Sequence, residues 1–60
     1  MFLFIVELEI LFFGKETEYV NANEKEEAEF IAVHKIMKKL GCQKKNISVI
    51  YCKKISNNQI

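Results

Sequence analysis

Phe2-Leu3-Phe4-Ile5-Val6-Glu7-Leu8-Glu9-Ile10-Leu11-Phe12-Phe13-Gly14 is a nearly continuous apolar run broken by two glutamates and ended by a glycine. Phe2, Phe4, Val6, Leu8, Ile10 and Phe12 occupy every second position. In an extended chain that period puts all six on one side, because successive side chains point to opposite faces. The other side mixes Leu3, Ile5, Leu11 and Phe13 with Glu7 and Glu9. The two carboxylates interrupt the apolar run. A membrane span needs about 20 apolar residues, and a signal peptide needs a basic start and an unbroken apolar segment. The stretch therefore reads as a long strand with one buried and one mixed side.

Gly14-Lys15-Glu16 breaks the alternation, and glycine supplies the freedom a tight turn needs. Residues 17–22 then read as the second strand of a β-hairpin. A three-residue turn sets Val20 opposite Ile10 and Ala22 opposite Leu8, both inward, and buries the most apolar side chains. Asn23 is the expected helix N-cap, with Glu26 three positions on to close a capping box. The helix is expected over residues 24–40, glutamates at its start and Lys35, Lys38 and Lys39 at its end, the order its dipole favours. Gly41 is the stop. Helical periodicity places Phe30, Ala32, Val33, Ile36, Met37 and Leu40 on one inward arc. Ile31 is left among charged neighbours as a candidate contact on the outer face. His34, beside Phe30, is expected to pack at the edge of the arc. Residues 46–55 form a third strand, with Ile47, Val49 and Tyr51 on one side and Ser48, Ile50, Cys52 and Lys54 on the other. Residues 56–60 are read as a flexible polar tail.

The predicted fold is α+β: one β-β-α-β domain over residues 1–55. The longest and most apolar strand is central, giving a three-stranded antiparallel sheet of order 2-1-3 with the helix on one face. The face without the helix then holds Leu3, Ile5, Leu11, Phe13, Tyr19, Ile50 and Cys52 around Glu7 and Glu9. A fully buried large apolar side chain is worth about 1.5–3 kcal/mol over an exposed one, and a chain of 60 residues has little core to spare. A contiguous apolar patch marks a contact surface. The expected partner is a second copy stacked sheet on sheet as a homodimer, or else a different protein.

Composition narrows the function by what it omits. There is no Asp, Arg, Trp or Pro and only one His. Cys42 and Cys52 do not form a C-x-x-C pair and read as reduced, cytoplasmic thiols. Neither is expected beside His34, so no nucleophile–base pair is expected. Glu7 and Glu9 are read as the polar centre of the open face. With no metal-ligand spacing, glycine-rich phosphate loop or nucleophile elbow, the reading is a non-enzyme without a cofactor. Charge divides sharply: residues 1–30 hold eight Glu and two Lys, and residues 31–60 seven Lys and no acid. Glu16, Glu18, Glu24, Glu26 and Glu27 form the candidate acidic patch toward a protein partner. Lys44, Lys45, Lys53 and Lys54 form a candidate basic end, and with Phe13 and Tyr19 they supply the alternative reading, nucleic-acid binding. The lack of Arg weighs against that alternative. No membrane partner is expected.

Residues 19–28, Tyr19-Val20-Asn21-Ala22-Asn23-Glu24-Lys25-Glu26-Glu27-Ala28, resemble a pattern in many very small proteins of phages and mobile elements, where a hairpin ending V-x-A runs into a glutamate-rich helix start. The Lys, Asn, Ile and Glu bias without Arg is similar to that of AT-rich bacterial or phage genomes. The resemblance implies an accessory protein in the host cytoplasm that occludes a host or defence protein, in the manner of anti-CRISPR and other anti-defence inhibitors. It assigns no functional residue.

Overall fold

The computed structural model describes residues 1–56; residues 57–60 of the expected tail lie outside the described residues. β1 spans Phe2–Ile10, β2 Gly14–Ala22, α1 Lys25–Leu40 and β3 Ile47–Ser56, with a single 3-10 turn over Lys44–Asn46 ahead of β3. β1 is the central strand, both neighbours run antiparallel to it, and the sheet order is β2-β1-β3. This is the α+β arrangement expected from the sequence. Ser56 belongs to β3 and pairs with Leu3.

Alternation along β1 buries Phe4, Val6, Leu8 and Ile10. Val20 and Ala22 of β2 and Ala28, Ala32, Val33 and Ile36 of α1 complete the core, and Ile47, Val49 and Cys52 pack against it from β3. Spacing of four residues puts Ala28, Ala32 and Ile36 on one face of the helix, and the two small alanines let the helix lie close to the sheet.

The hairpin turn corrects the sequence reading. It lies at Leu11-Phe12-Phe13 and not at Gly14-Lys15-Glu16: Ile10 pairs with Gly14, Phe4 with Val20 and Phe2 with Ala22. Relative to the expected pairing, Ala22 meets Phe2 instead of Leu8. That slide is an even number of residues, so Val20 and Ala22 still face inward. The observed register pairs nine residues of β2 with all nine of β1, whereas a turn at 14–16 leaves the start of β1 without a partner from β2. The longer ladder satisfies more backbone groups. It also takes Phe12, expected inward, out of the core: Phe12 is 95% exposed.

The third strand departs from simple alternation. Glu7 pairs with Tyr51 and Leu8 with Val49, so Ile50 is an extra residue, and Ile55 is skipped in the same way between Lys54 and Ser56. Such bulges add one residue to a strand and invert the faces beyond them. Ile47, Val49, Cys52 and Lys54 therefore lie across from Ile10, Leu8, Val6 and Phe4, on the helix-covered face. Tyr51 turns to the open face, opposite to expectation.

The helix is rotated from its expected arc. Phe30 is 60% exposed, while Ile31 is half-buried against the core. The buried face is centred on Ala28, Ala32 and Ile36, so it takes in Ala28 on one side and stops short of Phe30, the far edge of the expected arc, on the other. The N-terminus is shifted by one residue as well. Glu24 is the N-cap, its carbonyl accepting from the Ala28 N–H at 3.0 Å. Glu27, not Glu26, reaches back: its Oε1 accepts from the Asn23 N–H at 2.7 Å. Gly41 ends the helix as expected, with φ 69° and its N–H donating to Met37 O at 2.9 Å.

Candidate contact surfaces

The sheet has one face under α1 and one open. Across the open face, Ile5 lies between Tyr19 and Lys53, Glu7 between Thr17 and Tyr51, and Glu9 between Lys15 and Ser48. Leu3 stands beside Asn21 at the end of the row. Leu3, Ile5 and Glu7 are half-buried by their neighbours, and Tyr19 and Tyr51 are exposed. The face thus grades from apolar and aromatic around Leu3 and Ile5 to charged around Glu9 and Lys15.

Of the residues expected on this face, Leu3, Ile5 and Tyr19 share it. Cys52 is on the other face, where its Sγ lies 3.9 Å from Lys25 O. Ile50 sits at the bulge and borders, with Cys52, an open groove against Lys25 and Glu29. Leu11 and Phe13 belong to the hairpin turn, off the sheet. The sequence reading missed Tyr51, which only the bulge at Ile50 brings to this face.

Leu11-Phe12-Phe13 is a surface of its own. Three large apolar side chains in succession are 54%, 95% and 56% exposed. The Phe13 N–H donates to Ile10 O at 2.9 Å, closing a β-turn in which Phe12 takes φ 73°. That is the third position of a type II turn, where glycine or asparagine ordinarily sits. The Leu11 N–H donates to Asn46 O at 2.9 Å. This bond ties the hairpin tip to the Lys44–Asn46 turn and brings Lys45 into an open groove with Ile10, Leu11 and Phe12.

The charged sets are divided by the fold. α1 runs back along the sheet, so Lys39 near its end meets Glu16 near the start of β2, Nζ to Oε1 3.4 Å. Glu24, Glu26 and Glu27 are at the other end of a 16-residue helix about 24 Å long. Glu16 and Glu18 lie on the helix side of β2. The acidic set is therefore two separate groups. The basic set also splits: Lys44 and Lys45 lie by the hairpin tip, while Lys53 and Lys54 lie far along β3 on opposite faces. Lys54 places its ammonium 4.3 Å from the Phe2 ring centroid.

On the outside of α1, Phe30 and His34 stack with ring centroids 4.0 Å apart. His34 Nδ1 lies 2.9 Å from Phe30 O, and since a carbonyl only accepts, that nitrogen carries the proton. Both cysteines are free. Burial, with a smaller contribution from Glu29, pushes the Cys52 thiol above its ordinary range, against a smaller opposing pull from Lys25. A thiol held in its protonated form is a poor nucleophile. Among the described residues no group of three His, Cys, Asp or Glu is placed to hold a metal ion, and no helix is long and apolar enough to cross a membrane.

Comparison with family models, curated proteins and solved structures gives no match to this chain.

Proposed function

We propose that this chain is a small non-enzymatic binding module that works by covering surface, and that its open sheet face pairs with a second copy of itself. The observation that carries the reading is the cluster of Leu3, Ile5, Tyr19 and Tyr51 on a face that no element among the described residues covers. Tyrosine presents apolar area with a polar tip and suits an interface. The same face carries both signs of charge, with Glu9 beside Lys15 and Lys53 beside Ile5. An opposed copy finds both signs as well as an apolar zone.

Size sets the strength. Strands of nine residues, three abreast, present about 14 × 30 Å. Two such faces together cover somewhat less than the roughly 1,000 Å² of a firm interface. The expected dimer is therefore in exchange with monomer at micromolar concentration. A role as a phage-borne inhibitor of a host or defence protein is compatible with a module that acts by occlusion, and the glutamates of the first helical turn remain its candidate partner-facing charge.

Molar mass by light scattering across a wide concentration range tests the reading. The expected result is a rise from the 7.1 kDa monomer toward twice that mass, abolished by Ile5→Thr with Tyr19→Thr. Those changes keep strand-forming side chains while removing the apolar zone. A wild-type mass fixed at the monomer value, at every concentration, contradicts it.

Nucleic-acid binding is the second reading, favoured by Tyr19 and Tyr51 on one open face with Lys53 across Ile5 from Tyr19. Glu7 and Glu9 run down the central strand of that same face, where a phosphate backbone would have to pass. This makes it the lesser reading; binding to single-stranded oligonucleotide that weakens steeply with salt would support it.

A further inference from the structure

The hairpin tip is the feature that neither the core nor the sheet face uses. A β-turn normally carries Gly, Asn, Asp or Ser at its apex, and here it carries Leu11, Phe12 and Phe13. Phe12 sits at φ 73°, a conformation costly for a bulky side chain, and projects almost wholly into solvent. The tip is convex, so its occupant must be concave or soft.

Charge around the tip identifies the occupant. Lys44 and Lys45 flank it through the Leu11–Asn46 hydrogen bond, Lys15 follows the turn, and Lys38 and Lys39 end the helix at the same end of the molecule. The carboxylates nearby are Glu9, paired in register with Lys15, and Glu16, bridged by Lys39. Five lysines against two glutamates leave that end with a balance of +3. Apolar side chains at an apex with lysines set behind them match an anionic lipid surface: the rings enter the acyl boundary and the ammonium groups stay level with the headgroups.

We infer that the Leu11-Phe12-Phe13 tip, with Lys44 and Lys45 beside it, docks this chain on the surface of an anionic membrane. This is attachment to a surface and not a span, so the carboxylates that interrupt the first strand do not oppose it. The inference is independent of the sheet-face reading, because the tip lies off that face.

Co-sedimentation of the intact chain with phosphatidylcholine vesicles, with and without phosphatidylserine, tests it. Binding is expected to the phosphatidylserine vesicles and to fall as salt rises. Phe12→Gly fits the turn's φ, so it keeps the fold, verified by its circular dichroism. It is expected to lower vesicle affinity about tenfold or more, the value of one buried phenyl group. Lys44→Gln with Lys45→Gln is expected to lower it about fivefold per lysine. Failure to bind phosphatidylserine vesicles overturns the inference. So does binding that Phe12→Gly leaves unchanged, or equal binding to neutral vesicles. If a protein pocket is the true occupant of the tip, the first of these results is the one obtained.

Discussion

Phe12 bears a φ of 73° in a turn position that glycine fits without strain. Holding a non-glycine residue there costs about 1–3 kcal/mol, and the exposed ring recovers little of it by packing. Glycine would lose about 0.5–1 kcal/mol through the freer unfolded chain. Phe12→Gly should therefore leave stability unchanged or raise it by up to about 2 kcal/mol, read from urea denaturation. A loss greater than 1 kcal/mol would mean the ring packs on the molecule after all. Cys52 makes a prediction of a different kind. Burial holds its thiol protonated in the folded chain beyond the point at which an unfolded thiol ionises. Its contribution is thus fully present below about pH 8.5, the ordinary thiol value, and is lost as the pH rises above it. Denaturation curves should show stability falling above that pH, with a smaller fall in Cys52→Ala; an identical fall in both would assign the loss to other groups.

At the level of elements, the helix shows what the sequence makes legible and what it hides. Its end at Gly41 and its acid-to-base order follow from capping and dipole physics, and both were readable. Its rotation was not, because Phe30 outranks Ala28 in hydrophobicity while only the alanines allow close approach to the sheet. Ile36→Ala should cost about 2–5 kcal/mol as a large-to-small change in the core. Phe30→Ala should cost under about 1 kcal/mol, the loss being limited to contact with His34. Thermal denaturation of the two variants checks this, and comparable losses would restore the original arc. The strands divide similarly. Direction follows from the crossover, the central place of β1 from its length and apolar character, and the position of Leu3, Ile5 and Tyr19 on the open face from period 2. The bulge at Ile50 has no sequence signal in this chain, so Tyr51 and Cys52 exchanged faces. Gly14 drew the expected turn toward itself, whereas the longer ladder placed it over Leu11-Phe12-Phe13.

Over the whole molecule, the Cα trace measures 35 × 16 × 15 Å, and a single helix covers one face of a sheet that has two. Apolar surface is consequently left in distinct places: the open face, the hairpin tip and the Phe30–His34 stack. Each is set by a different constraint. Of these, the open face is the one proposed to meet its own copy. Isotope-filtered NOE spectroscopy on a mixture of labelled and unlabelled chains tests it most directly, since it reads contacts between copies residue by residue. Intermolecular NOEs are expected at Leu3, Ile5, Tyr19 and Tyr51; their absence at concentrations well above micromolar, or NOEs confined to Leu11, Phe12 and Phe13, would rule out self-pairing of this face.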